Sequence, residues 1–181
     1  MVFLWGDTMK IDLEKLRLGT RETLEFHFDN AGRNEYLNNL GGKYQENLKV
    51  DVQVEKPGRF YLTRGQVKTV LELQCSRCLE KFCYPINIGF HLNLVETHMQ
   101  EEFTQDEDVI FFDRDEVEIQ PFIEQLVFLE IPFAPICKEE CKGLCPECGT
   151  NQNLSLCQCR PENNDPRWDK LKDLKFGKEV T

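Results

Sequence analysis

Leu48, Val50, Val52 and Val54 alternate with Lys49, Asp51, Gln53 and Glu55, the period-two pattern of a strand with one face buried and the other in water. Leu24-Glu25-Phe26-His27-Phe28 alternates in the same way, with the leucine and both phenylalanines on one side. Between them, Asp29-Asn30-Ala31-Gly32 and Gly41-Gly42 mark residues 29–43 as loop. Lys56-Pro57-Gly58-Arg59 turns the chain, Phe60 to Thr63 begins another strand, and Arg64-Gly65 reads as a further turn. Val67, Thr69, Leu71 and Leu73 then share one face up to Cys75, and Ile86, Ile88, Phe90, Leu92 and Leu94 line one face of the next strand. The pair predicts a β-hairpin with Cys75-Ser76-Arg77-Cys78 at its tip.

Helical spacing first becomes clear at 121–130 (PFIEQLVFLE), where proline suits the first turn and positions 122/123 and 126/127 share a face. Residues 10–19 (KIDLEKLRLG) fit either a short helix or an irregular lead-in. The polar run HMQEEFTQDED after Val95-Glu96-Thr97 predicts a loop, and Val109 to Phe112 a short strand. Pro132 and Pro135 end the helix and carry an extended link into Cys137. Asp165-Pro166 opens a final helix whose apolar stripe is Trp168, Leu171 and Leu174.

Six of the nine cysteines fall in residues 137–159, CKEECKGLCPECGTNQNLSLCQC. Core packing does not demand such crowding. Cys145-Pro146-Glu147-Cys148-Gly149 is a turn that aims two sulfurs at one point, and Cys157 and Cys159 can supply two more. The hairpin tip is a second Cys-x-x-Cys half-site; a thioredoxin-like reading of it needs a βαβ setting that the surrounding pattern lacks. Nothing at the start of the chain looks secretory: Met1-Val2-Phe3-Leu4-Trp5 is too short for a signal-peptide core and has no basic leader. No window approaches the eighteen apolar residues of a membrane span. The chain therefore reads as cytoplasmic, where clustered thiols hold metal more often than they form bridges, and nine is an odd number for a closed disulfide framework.

Cys83 lies on a strand and reads as a small buried apolar side chain, which leaves eight cysteines, or two tetrahedral zinc sites. The favoured pairing puts Cys145, Cys148, Cys157 and Cys159 on one ion. Cys75, Cys78, Cys137 and Cys141 hold the other, provided residues 137–141 make a helical turn. A competing pairing puts Cys137, Cys141, Cys145 and Cys148 on one ion and leaves the other two pairs incomplete. Either way the zinc is structural: four thiolates leave no open position for water, and neither H-x-E nor HExxH occurs. His27 and His91 sit in the polar phase of their strands and His98 in a loop, so all three read as solvated. The expected fold is α+β. A mainly antiparallel β-sheet or barrel-like domain with few short helices fills residues 10–136, a zinc-knuckle module 137–160 and a helical tail 161–181. Residues 1–9 are an extension, because Met9-Lys10-Ile11-Asp12-Leu13 resembles a conventional beginning and the eight residues before Met9 an upstream start.

Charge divides the chain unevenly. The formal net charge is −10, and residues 96–130 alone hold twelve acidic residues against Arg114. The rest is close to neutral, so repulsion of nucleic acid by the whole surface does not follow. Between Lys56 and Lys81 six basic residues face two acidic ones, with Phe60, Tyr61 and Phe82 interleaved. Arg59, Arg64, Lys68, Arg77 and Lys81 are the candidate RNA contacts of such a face, against the blander reading of a solvated strand surface. The acidic segment offers a second binding surface, complementary to a basic ribosomal protein.

CSRCLEKF, IPFAPICKEECKGLCPECGTNQNLSLCQC and DPRWDKLKDL, with the acidic loop and helix between the first two, resemble the longer form of the YceD family, the large-ribosomal-subunit rRNA accumulation proteins. The resemblance runs from about Lys10 to Phe176. It implies a non-enzymatic factor for accumulation or processing of 23S rRNA in large-subunit biogenesis, with rRNA, the pre-ribosomal subunit or a ribosomal protein as partner. It implies no catalytic residue. A zinc-thiolate redox sensor is the alternative from another class, since clustered thiolates can release zinc and form disulfides on oxidation. An rRNA-processing nuclease lacks a carboxylate or histidine constellation.

Overall fold

In the computed structural model, which describes residues 8–38, 40–103 and 108–159, the alternation at 48–55 becomes strand β4 (Leu48–Glu55), with every second side chain buried. The other strands are β1 (Lys10–Asp12), β2 (Thr23–Asn30), β3 (Lys43–Tyr44), β5 (Tyr61–Gln74), β6 (Lys81–Glu96), β7 (Val109–Phe112) and β8 (Glu116–Glu118). Three short helices, α1 (Glu14–Arg17), α2 (Glu35–Asn38) and α3 (Gln120–Leu129), and a 3₁₀ turn at Thr97–Glu102 complete the described chain. The large sheet is open and runs β2-β4-β5-β6-β7, with β3 added beside β5; all its pairs are antiparallel except β6 with β7. β1 and β8 form a separate antiparallel ribbon. The fold is thus α+β, mainly strand and antiparallel-rich.

Residues 64 and 65 do not turn; they continue β5. A Cβ on Gly65 would come within 2.4 Å of the Phe90 ring on the facing strand, so the glycine marks a close approach of ring to backbone. That lets β5 and β6 pair without interruption from Tyr61↔Leu94 to Gln74↔Lys81, up to the hairpin tip. Residues 10–19 hold both β1 and α1, and α2 lies inside the segment expected to be loop. The polar segment after β6 starts with the 3₁₀ turn, whose Met99 is buried. The tail helix expected from Asp165 lies outside the described residues. No helix among the described residues is long and apolar enough to cross a membrane.

One continuous core joins the inner face of the large sheet to the ribbon and helices. Ile11 and Val117 come from the ribbon, Leu16 from α1, Leu37 from α2, and Ile123 and Val127 from α3. Met9 is fully buried there as well. α3 also buries a charge. The Glu124 side chain has 0% exposure and accepts from Arg33 N and Nε at 2.9 and 3.2 Å, with Gln120 Nε2 donating at 2.9 Å. This ties the 31–34 segment, which follows the edge strand β2, to the helix that leads into the cysteine-rich region. Replacing Glu124→Ala strands these donors, and the expected loss is about 2 kcal/mol of unfolding free energy in a urea titration; an unchanged midpoint would show that the pair contributes nothing.

Candidate metal centres

The two Cys-x-x-Cys segments are the same local structure built twice. In the first, Leu79 N donates to Cys75 O at 3.0 Å and Cys75 N to Glu80 O at 2.9 Å; in the second, Gly149 N donates to Cys145 O at 2.9 Å and Cys145 N to Thr150 O at 2.8 Å. The residue after the second cysteine is left-handed in both, with φ 61° at Leu79 and 71° at Gly149. Glycine takes that conformation freely, whereas for leucine it costs about 1 kcal/mol. The backbone of each turn brings its two thiols to one side.

At the first centre the remaining two thiols come from beyond α3. Pro135 O accepts from Ser76 N at 2.8 Å, which docks the proline link on the hairpin tip, and a turn closed by Cys141 N to Lys138 O at 3.0 Å brings Cys137 and Cys141 round. Sγ of Cys75 lies 3.8 Å from that of Cys141, and Sγ of Cys78 3.7 Å from that of Cys137. A disulfide would hold them at about 2.05 Å. Four sulfurs on a tetrahedron around an ion at about 2.3 Å stand about 3.8 Å apart, so these separations suit a shared ion. Cys75, Cys78 and Cys141 are buried at 0%, 3% and 5% exposure, packed with Phe82 and Ile136.

The second centre gathers Cys145, Cys148, Cys157 and Cys159, and in each quartet all four sulfurs lie within 4.8 Å of one another. Cys137 and Cys141 stand in one quartet and Cys145 and Cys148 in the other. This centre is more open, with Cys148 exposed. It sits against the first: Leu144 N donates to Arg77 O at 3.2 Å, and Asn151 Nδ2 to Glu80 Oε1 at 3.4 Å. Gly143, at φ 74°, packs where a Cβ would be 3.1 Å from Arg77 O. Asn153 Nδ2 donates to Cys141 Sγ at 3.4 Å, and the Thr150 hydroxyl lies 3.1 Å from Cys148 Sγ. These supporting groups carry no sequence signal, because their role depends on how the two turns stack.

Within the quartets the thiols diverge: Cys75, Cys141 and Cys148 ionise more easily than a free thiol, and Cys78, Cys137, Cys157 and Cys159 less easily. Burial pushes Cys75 up, but backbone N–H groups of Cys78, Cys137 and Arg77 outweigh it and bring it down to about 6. Hydrogen bonds from Thr150 bring Cys148 down to about 6. Burial and the neighbouring thiols push Cys137 up to about 12, and contact with Cys148 together with burial does the same to Cys159. Four thiolates so close cannot all be ionised without a cation among them. The donor set is soft, complete and closed, so either quartet could hold a metal ion structurally.

The other candidate residues are dispersed. Arg59 pairs with Glu102 at 3.3 Å and Lys81 with Glu72 at 2.9 Å, while Arg77 Nη1 donates to the carbonyls of Glu139 and Cys141 at 3.3 and 3.1 Å. Arg64 and Lys68 stand on the outer face of β5, Arg64 beside Glu25, His27 and Asp51. The Tyr61 ring is fully buried, with Lys56 Nζ 4.8 Å above it, and Phe82 packs on the first cysteine cluster. Cys83, expected inside, is exposed on the outer face of β6, with Sγ 2.9 Å from Gln45 Oε1.

A family model described as large ribosomal RNA subunit accumulation protein YceD matches residues 63–175. The chain is 31% identical over 157 residues to the chloroplastic large ribosomal RNA subunit accumulation protein YCED homolog 1 of Zea mays, covering 70% of this chain and 53% of that protein. The homolog from Arabidopsis thaliana is 30% identical over 155 residues, covering 71% and 48%. An uncharacterized protein of Mycobacterium tuberculosis is 30% identical over 128 residues, covering 70% and 61%. The chain thus spans about half to three-fifths of these relatives' lengths. No solved structure matches it.

One ion in each quartet gives a definite stoichiometry. Native mass spectrometry of the chain expressed in zinc-supplemented medium is expected to read two ions, falling to one in Cys75→Ser. An unchanged count in the variant would separate the hairpin tip from metal binding.

Proposed function

Because the chain belongs to the YceD family of large ribosomal RNA subunit accumulation proteins, we propose that it is a non-enzymatic, zinc-clamped adaptor. In this reading it promotes 23S rRNA accumulation in the cytoplasm by binding rRNA or a ribosomal protein of the assembling large subunit. The observation that carries it is the closed character of both quartets. With four thiols each they leave no place for a metal-bound water, so zinc there would stiffen the molecule and supply no nucleophile. Cys75, Cys78, Cys137 and Cys141 would hold one zinc, and Cys145, Cys148, Cys157 and Cys159 the other.

Charge bears on the choice of partner. Arg64 and Lys68 are the basic side chains of the RNA reading that remain on an open sheet face, and acidic Glu25 and Asp51 stand beside Arg64. Such a mixed surface holds phosphates weakly. The acidic 96–130 segment, by contrast, supplies an attractive field for a basic protein. A ribosomal protein is therefore the favoured direct contact, with rRNA levels responding to whether that protein is delivered or held.

The test is depletion of the protein in its host, followed by measurement of 23S and 16S rRNA. The expected result is selective loss of 23S rRNA, restored by the wild-type chain and not by a Cys145→Ser/Cys148→Ser variant. A normal 23S to 16S ratio after depletion would overturn the assembly role, and metal-dependent cleavage of rRNA by the pure protein would overturn the non-enzymatic one.

A further inference from the structure

Two strand edges lie next to each other in the chain without pairing. β7 ends the large sheet and β8 is bonded only to β1, so among the described residues no strand occupies the second side of either. Three residues, Asp113-Arg114-Asp115, join them, a length that usually makes a hairpin. Here side chains of both strands instead line a groove of about 300 Å³ that includes Ile110, Phe111, Asp113, Glu116, Val117 and Glu118.

The backbone of β7 is oriented for a further strand. Asn93 N, on β6, donates to Asp108 O at 2.8 Å, so the peptide groups of residues 108, 110 and 112 turn toward β6. Those of Val109 and Phe111 then turn away from it. Four consecutive large apolar residues make the strand, with Phe112 in the core, Ile110 packed against it, and Val109 and Phe111 half-buried. Edges that resist pairing usually carry lysine, proline or a bulge, and β7 carries none of these.

Charge selects what can add there. Asp108, Asp113, Glu116 and Glu118 flank the edge and are exposed. Glu116 also meets Lys10 across the ribbon at 3.4 Å, and Asp115 is bound by Arg17 at 2.8 Å. Arg114 is the one base in a segment that is otherwise acidic from 96 to 130. A second copy of this edge would bring like charges together, and a nucleic-acid backbone would meet carboxylates; a cationic polypeptide meets attraction over the whole approach.

We propose that the open edge of β7 is a docking edge for an extended, lysine- and arginine-rich segment of a partner protein, which adds to the sheet as a strand. The partner's backbone bonds Val109 and Phe111, its alternate apolar residues cover their side chains, and its cations face the acidic rims. This rests on the adaptor reading above and names the surface through which it works.

The probe is a short synthetic peptide alternating lysine and valine, together with the same peptide N-methylated at alternate residues so that charge remains and strand pairing is lost. Each is titrated into the full-length, zinc-loaded chain by calorimetry at low and high salt. The unmodified peptide is expected to bind in a salt-sensitive way, and the N-methylated one about tenfold or more weaker. Val109→Pro, which removes an outward N–H at the first position of an edge strand, should weaken the unmodified peptide similarly while metal content and urea midpoint stay unchanged. Equal binding of both peptides, equal binding by Val109→Pro, or no binding of either peptide would each overturn the docking edge. Val109→Pro cells with normal 23S rRNA, where the purified variant has lost the peptide, would keep the edge and overturn its part in rRNA accumulation.

Discussion

Four sulfurs placed close enough to share a cation, supplied in pairs by segments about sixty residues apart, are the constraint on which the C-terminal half depends. Cys75 and Cys141 are 66 positions apart and Cys78 and Cys137 are 59. Everything between them, including β6, β7, β8 and α3, is closed into a loop when those sulfurs meet. Residues 137–159 bury few large apolar groups; Leu154 and Leu156 are 78% and 87% exposed. Hydrophobic burial therefore cannot order this region. An ion held by these thiols would contribute on the order of 10 kcal/mol, at the point where the hairpin leaves the sheet.

The two turns share a backbone but not an environment. The first centre is shielded by Phe82, Ile136 and the second turn stacked on it, whereas the second keeps Cys148 at the surface. A buried, desolvated site exchanges its ion slowly because opening it exposes apolar surface and unpaired thiolates. An exposed site lacks that barrier. The two centres are joined directly, since Leu144 N and Asn151 Nδ2 bind Arg77 O and Glu80 Oε1 of the hairpin tip.

Much of this was legible in the sequence, and the exceptions have physical causes. Strict alternation marks β4 because both neighbours bury the same face. The two quartets could be anticipated by counting thiols, since a tetrahedral ion requires four of them. Gly65 misleads because glycine marks turns and close approaches alike, and only the Phe90 ring across the ladder decides between them. The burial of Glu124 carries no local signal, because its partner Arg33 lies 91 positions away. Cys83 reads as buried from its residue type, whereas the alternation that puts Phe82, Tyr84 and Ile86 on the inner side places it outside. The basic stretch 56–81 looks like one surface in the sequence, yet Arg59 and Arg77 lie beyond opposite ends of a 14-residue strand, and Tyr61 is inside.

Membership of the YceD family places the chain among large-subunit rRNA accumulation proteins, and its physical character suits holding rather than cutting. It is acidic at one edge and mixed elsewhere, and its two thiol quartets could hold metal at the hairpin tip. X-ray absorption at the zinc edge of the purified, metal-loaded protein tests the central claim most directly. The account predicts sulfur as the sole first neighbour, four per ion at about 2.3 Å. Nitrogen or oxygen neighbours at about 2.0 Å, or sulfur coordination below four, would contradict it.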